Sequence, residues 1–327
     1  MQSSTASNSI MRRLLAALYT GAVRWRNRLY DTGRLAVKRA DVPVVSIGNI
    51  EVGGTGKTPF TVALAQEIQK RGIHPVIVTR GYKGRLKGVV EVTARHTFRD
   101  VGDEAVLMAR TAGIPVVKSP DRYQGAVYAG NVLKADVVLL DDGFQHRKLF
   151  RDLDIVLLSR DVSREAMLPA GPLREPPEGL SRARILVHTK GASSDGITAS
   201  LHPVSLVDSV GRVQDLSRLM GRRVLAVSGI ARPSFFTRIL EDSGARVEPL
   251  PFGDHHAFSP RDIRRIKARA EEFDLVVFTE KDLVRLDPYT LDGRWLALRV
   301  EMRVDGMEGI VKEVEDLVQK SGLSRQG

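Results

Sequence analysis

The sequence contains no cysteine among its 327 residues. Disulfides, thiolate metal sites and cysteine nucleophiles are thereby excluded, and a reducing compartment is permitted. No apolar run reaches the ~18 residues that a membrane-spanning helix needs. Internal repeats at solenoid periods and long low-complexity tracts are also missing. Acids are almost absent from the first forty positions, where Asp31 stands alone against Arg12, Arg13, Arg24, Arg26, Arg28, Arg34, Lys38 and Arg39. That stretch carries a net +7 of the chain's formal +11. An excess so localised points to an anionic partner, either a membrane surface, a phosphorylated substrate or nucleic acid, with a solvated basic tail as the plainer alternative.

What is present suits a soluble globular protein, 43% hydrophobic and 27% charged, long enough for two domains. Leu14–Val23 is a short apolar stretch behind Arg12 and Arg13, but Arg24, Arg26 and Arg28 follow at once and no small-x-small cleavage site appears. A secretory leader is therefore not expected. Helical spacing fits better. At 100° per residue Met11, Leu14, Leu15, Leu18, Ala22, Trp25 and Leu29 share an arc of roughly 100°, with Arg13, Arg24 and Arg28 facing away. That is the pattern of a helix lying in a membrane interface, with Trp25 at headgroup depth. A helix packed on its own domain would show the same stripe.

Val42–Ile47 reads as a buried strand with Pro43 at its very start. A Gly-rich loop, a helix over Pro59–Lys70 and a strand over Val76–Thr79 complete a βαβ unit, which predicts a parallel sheet. Further strands are expected at Ala135–Leu140, Asp154–Leu158 and Ile185–His188. The polar region 191–220 reads as the linkage to a second α/β unit. That unit has strands at Val224–Val227, Val247–Leu250 and Leu275–Thr279 and helices at Pro233–Ser243 and Pro260–Glu272. The expected division is a helix at 1–38, a core at 39–205 and a smaller C-terminal α/β domain at 206–327.

Glu51, Val52, Gly53, Gly54, Thr55, Gly56, Lys57 and Thr58 form the strongest local signal. A phosphate loop needs inward-pointing N–H groups, a lysine for the β- and γ-phosphates and a hydroxyl for Mg²⁺, all just before a helix. The first glycine of G-x-x-x-x-G-K-[ST] is replaced by Glu51. Val137–Asp142 ends a strand in two acids, the form of a Mg²⁺-holding carboxylate in P-loop enzymes. Asp103 fits either a helix cap or a base that receives the proton of an attacking hydroxyl. Asp254-His255-His256 offers an acid–histidine pair more readily than a zinc site. Arg122 and Arg174 could clamp a phosphate or make surface ion pairs.

Taken together, VSIGNIEVGGTGKTP at 45–59, TRGYKG at 79–84, VGDEAVLMA at 101–109, LLDDGFQHRKL at 139–149, LPAGPLREP at 168–176, FGDHHAF at 252–258 and FTEKD at 278–282 resemble the tetraacyldisaccharide 4'-kinase family over roughly residues 10–310. The resemblance implies a P-loop α/β core with a smaller C-terminal α/β lid and an N-terminal membrane helix. It implies ATP and Mg²⁺, and transfer of the γ-phosphoryl group to the 4'-hydroxyl of an acylated glucosamine disaccharide 1-phosphate, giving lipid IVA at the cytoplasmic face of the inner membrane. By the same resemblance Asp103 is the base with His255 rather than His256 as its partner, and Lys57 and Thr58 serve the phosphates. Thr58, Glu104 and Asp141 hold the metal, and Arg122, Asp142, Gln145, His146, Arg174 and Glu175 meet the substrates. Ala105 stands where the family often has proline, and Lys83 where it often has glycine. A monomer without nucleic-acid affinity is expected. A membrane-surface ATPase switch is the rival, although such loops carry lysine where Val52 stands. A kinase for a soluble metabolite is the other, against which the basic amphipathic helix argues.

Overall fold

A computed structural model describes residues 2–189, 196–208, 210–286 and 293–325, with side chains described from residue 10 to residue 322 within those ranges. The first half runs α1 (Gln2–Asp31), β1 (Val44–Gly48), α2 (Lys57–Lys70), β2 (Pro75–Thr79), β3 (Val90–Glu91), α3 (Phe98–Val101), α4 (Asp103–Thr111), β4 (Val116–Lys118), α5 (Arg122–Asn131), β5 (Val137–Asp141), β6 (Leu153–Leu158) and β7 (Ile185–His188). The second half runs β8 (Ile197–Val207), β9 (Val213–Gln214), β10 (Arg223–Ser228), α6 (Pro233–Asp242), β11 (Arg246–Pro251), α7 (Pro260–Ala270), β12 (Leu275–Thr279), α8 (Glu280–Leu283), β13 (Trp295–Asp305) and α9 (Met307–Arg325).

These strands form one sheet in the order β11, β10, β12, β13, β8, β7, β6, β1, β5, β2, β4, β3, with β9 paired to β8. The expected α/β fold with a parallel core is present: β1 lies between β5 and β6, parallel to both. Every residue of β1 and β5 is buried, as strands covered on both faces require. Ile47 pairs with Asp141, so the loop leaving β1 and the acids ending β5 emerge side by side.

The helix after the loop starts at Lys57, two residues before Pro59. Pro59 thus sits in the first turn, where an N–H would have no intrahelical acceptor. Phe60, Leu64, Ala65 and Ile68 give α2 its buried stripe.

The expected boundary at 205 falls inside β8. β8 and β13 pair antiparallel from Thr198↔Asp305 to Val207↔Ala297, joining the halves by an eleven-residue strand instead of a linker. Residues 191–195 and 209 of the expected linkage lie outside the described residues. The end of the chain also departs from the expected lid. Ile310, Val311 and Val314 of α9 are buried in the same cluster as Phe60, Leu64 and Ile68 of α2, so the last helix belongs to the first half's core.

α1 packs on its domain through a face other than the expected stripe. Ala16, Val23 and Asn27 are buried, and Val23 joins Ile50, Phe144 and Leu173 in a core cluster. The large apolar arc faces outward, with Leu18 71% and Trp25 67% exposed. No helix among the described residues is long and apolar enough to cross a membrane.

Because Ile310 is fully buried against α2, Ile310→Ala should lower stability by about 2–5 kcal/mol. Chemical denaturation measures this. A loss under about 0.5 kcal/mol, as expected for a surface substitution, would remove α9 from the core.

Candidate active site

The chain leaving β1 turns through Gly53 at φ 105° and Gly56 at φ 85°, conformations that cost a side-chain-bearing residue energy. A Cβ at Gly56 would also lie 2.7 Å from Met302 Cε. Asn49 Nδ2 donates to Thr55 Oγ1 at 2.9 Å and braces the loop from within. Gly53–Thr58 line a cavity of about 1320 Å³ shared with Glu104, Asp141, Asp142, Arg174, His255 and Lys281. Glu51 does not reach it. Its buried carboxylate accepts the Ser159 N–H at 2.7 Å, the Ser159 hydroxyl at 3.0 Å and Arg160 Nε at 3.1 Å. It anchors the loop's outer side, off the cavity lining. Val52 lies outside the cavity lining as well, its N–H donated to the Pro172 carbonyl at 2.8 Å.

Three acids, Glu104, Asp141 and Asp142, line the cavity beside the loop. Asp142, left-handed at φ 53°, receives Arg174 Nη1 at 3.2 Å and Nη2 at 2.9 Å, and Lys57 Nζ lies 3.5 Å away. Burial opposes its charge, but Lys57 and Arg174 outweigh burial and hold it well below the usual carboxylate range. Asp141 is 2% exposed and has only Thr79 Oγ1 at 3.4 Å on one oxygen. Its Oδ1 is buried without a hydrogen-bond partner. Burial first, then Glu104 and Asp142, push it up to about 7.

The second half contributes the far wall. Gly229, the His255 loop and the turn at Glu280–Arg285 follow the C-terminal ends of β10, β11 and β12. His255 Nδ1 lies 2.9 Å from Asp103 Oδ2, and its Nε2 lies 3.2 Å from Lys281 Nζ. Lys281 also donates to Glu104 Oε1 at 3.0 Å. These partners assign the tautomer: the carboxylate takes Nδ1–H, and the ammonium donates to the Nε2 lone pair. Asp103 opens α4 instead of capping it, with Gly102 in the cap position. Burial raises its pKa, but the His255 hydrogen bond, Lys281 and Arg285 hold it well below the usual carboxylate range. His255 is left-handed at φ 55° and packs edge-on against Tyr82. His256 turns away, 3.0 Å from Asp262 and stacked on Phe252.

The expected substrate residues divide into two groups. Asp142 and Arg174 face the cavity. Gln145 and Glu175 form a buried knot beneath α1, where Glu175 accepts Asn27 Nδ2 at 2.7 Å, Gln145 Nε2 at 3.2 Å and Arg182 at 2.8 Å. Arg122 is buried behind the acids, donating to the Pro120 carbonyl at 3.1 Å with its Nε unpartnered. His146 is half-buried, and burial reinforced by Arg122 lowers it to about 4, so it is neutral at pH 7.

The family model for tetraacyldisaccharide-1-P 4'-kinase matches residues 9–319 of this chain. The chain belongs to the tetraacyldisaccharide-1-P 4'-kinase family. It is 43% identical to the tetraacyldisaccharide 4'-kinase of Nitrobacter winogradskyi over 293 residues, covering 85% of this chain and 84% of that protein. It is 41% identical to that of Anaeromyxobacter dehalogenans over 322 residues, covering 89% and 85%. A crystal structure of the "apo" form of LpxK from Aquifex aeolicus in complex with ATP is similar at a TM-score of 0.78 and 34% identity, covering 93% of this chain and 97% of that one.

Mg²⁺, which a 4'-kinase of this family implies, fits the residues present. The orphaned Asp141 Oδ1 and its raised pKa describe a buried carboxylate waiting for a cation, with Glu104 and Thr58 on the same cavity wall. Among the described residues no three His, Asp or Glu side chains converge as a ready-made cage. Mg²⁺ suits such a site because it takes one or two carboxylates and completes its shell with phosphate and water. Sequence reasoning passed over Asn49, Lys281 and Arg285. Lys281 lies inside FTEKD, and Asp282 and Arg285 share the i, i+3 spacing of an ion pair on one helical turn.

Pushed up to about 7, Asp141 would carry at lower pH a proton that a Mg²⁺ ion bound there would have to displace. The apparent Mg²⁺ affinity of this kinase should therefore rise about tenfold per pH unit below 7 and level off above it. Isothermal titration in two buffers of different ionisation enthalpy checks the proton release. Asp141→Asn should bind weakly at every pH; an unchanged slope in that variant would move the proton elsewhere.

Proposed function

We infer that this chain is an ATP-dependent kinase that phosphorylates the 4'-hydroxyl of tetraacyldisaccharide 1-phosphate, forming lipid IVA in lipid A biosynthesis. The observation that carries the residue roles is a single cavity in which the phosphate loop and acids of one half face His255 and Lys281 of the other. Gly53–Thr58 cradle the phosphates through backbone N–H groups and the start of α2. Lys57 draws charge from the γ-phosphoryl oxygens as the loose transition state forms. Asp141, Glu104 and Thr58 would hold Mg²⁺, which would supply positive charge against the phosphate oxygens. Arg174 keeps Asp142 oriented toward Lys57, and Gln145, His146, Arg122 and Glu175 support the site from outside the cavity lining.

The Asp103–His255 pair orients the attacking hydroxyl and takes up its proton. The cavity-facing atom of the pair is His255 Nε2. Asp103, ionised behind it, fixes the tautomer and stabilises the proton on the pair. Lys281, which bridges Nε2 and Glu104 here, gains an alternative partner when phosphate enters. Because the pair draws one member from each half, the site is complete only when the halves are together. Every residue named comes from one chain, so this reading of the site needs no residue from a second copy.

The outward arc of α1 supports seating on an anionic bilayer, at the cytoplasmic face of the inner membrane where the nucleotide is available. Each fully buried large apolar side chain contributes about 1.5–3 kcal/mol, and each surface Lys or Arg about 1 kcal/mol. Apolar insertion of Leu14, Leu18 and Trp25 and charge attraction by the arginines of α1 are therefore of comparable size. The clustering of charge on this one helix, with no nucleic-acid recognition module, speaks against nucleic acid as a partner.

Transfer from γ-labelled ATP to purified tetraacyldisaccharide 1-phosphate in mixed micelles tests the activity. Lys57→Ala should lose roughly 100-fold or more, and Asp103→Ala roughly 100- to 10,000-fold with ATP binding retained. ATP hydrolysis without labelled lipid would favour the ATPase switch instead. In vesicle flotation with anionic lipid, Leu18→Asp should release the protein while raised salt weakens binding only in part. Complete release by salt alone would make the attachment electrostatic.

A further inference from the structure

Arg285 has no part in the roles assigned above, yet it is 4% exposed and ends at the same oxygen as His255. Its Nε donates to Asp103 Oδ2 at 2.8 Å, and its Nη2 bonds the same oxygen. The remaining edge of the guanidinium is pinned: Nη1 donates to Asp282 Oδ1 at 2.9 Å and to the Gly229 carbonyl at 3.2 Å. Asp282 is itself fully buried, with Oδ2 accepting the Gly229 N–H at 2.9 Å and the Thr279 hydroxyl at 2.6 Å. The same Gly229 carbonyl accepts the His255 N–H at 3.2 Å. One carbonyl thus ties the backbone of His255 to the guanidinium that holds Asp103, and one carboxylate oxygen ties the two side chains together.

We propose that Arg285, anchored by Asp282, is a positioning residue for phosphoryl transfer: it fixes Asp103 Oδ2 relative to His255 and so aims Nε2 into the cavity. The proposal rests on the Asp103–His255 reading above. A buried ion pair contributes little net stability when a hydrophobic pair of equal volume could replace it. Sharing its acceptor oxygen with the histidine is what gives this pair a catalytic consequence. Planarity matters here, because a guanidinium offers two parallel donors to Asp103 while a third engages Asp282, and an ammonium cannot reproduce that fork.

The test compares Arg285→Lys and Arg285→Met, each alone and combined with Asp103→Asn, in the full-length enzyme with ATP and the lipid acceptor in mixed micelles. Arg285→Lys should keep a cooperative thermal transition and a KM for ATP within about threefold of the parent, while kcat falls roughly 100-fold as geometry at the pair is lost. In the Asp103→Asn background the same substitution should cost less than about threefold more, because both changes act on one oxygen. Wild-type kcat in Arg285→Lys, or a full additional 100-fold loss in the Asp103→Asn background, would overturn the proposal. Should Arg285→Lys fail to fold, Asp103→Asn/Arg285→Met, which removes both charges, carries the same comparison with Asp103→Asn alone. Failure of the underlying reading looks different: His255→Asn or Asp103→Asn would retain wild-type kcat whatever happens at Arg285.

Discussion

The antiparallel ladder between β8 and β13 is the interaction on which the functional geometry depends. It joins two parallel sheets edge to edge, so that a phosphate loop built by β1 and a histidine loop built by β11 belong to one continuous framework. Parallel strands present their loops at one edge, and each half does so separately. The ladder brings the two loop edges onto a common cavity across a reversal of strand direction, where a flexible linker would leave their distance undetermined. α9 strengthens the join by returning from β13 to pack on α2, directly behind the phosphate loop. Its burial makes the end of the chain part of the scaffold for its beginning.

Within that framework the site is a problem of concentrated charge. Asp103, Glu104, Asp141 and Asp142 crowd together, and like charges in a poorly solvated space resist ionising together. The structure distributes cations unequally among them. Asp103 and Asp142 each receive a fixed guanidinium and stay ionised. Asp141 receives no such partner and is pushed up toward neutrality. That inequality divides the acids by role. On the function proposed above, those already paired orient neighbouring groups, and the unpaired one would exchange its proton for a metal ion. Lys281 reaches from the second half to Glu104 and His255.

Much of this was legible in the residues. The phosphate loop is visible because its chemistry demands glycines, a lysine and a hydroxyl in fixed order, and the acids because they terminate a wholly apolar strand. Fold class followed from the alternation of strand and helix patterns. The joining ladder was not legible. His202 and Pro203 interrupt β8, Pro203 sits beside a register shift, and a proline without an N–H reads as a breaker. Trp295–Asp305 changes from a continuous apolar run to an alternating one midway, so no single template covers it. α9 shows a plain helical stripe in Ile310, Val311, Val314, Leu317 and Val318, but a stripe does not name its partner, which lies at the other end of the chain. The roles of Glu51 and of the two histidines needed coordinates for the same reason: adjacent residues of identical chemistry differ only in the direction the backbone gives them, and His255 is the one held in the left-handed region.

In the function proposed above, the Asp103–His255 pair handles a proton and does not carry the phosphoryl group. The stereochemical course of the transfer tests this most directly, using ATP made chiral at the γ-phosphorus with oxygen isotopes and analysing the phosphate installed on the lipid. Inversion at phosphorus is expected, since a single in-line displacement passes the group straight to the hydroxyl. Retention would require two displacements and a phosphorylated side chain on the enzyme, and would contradict the role given to His255.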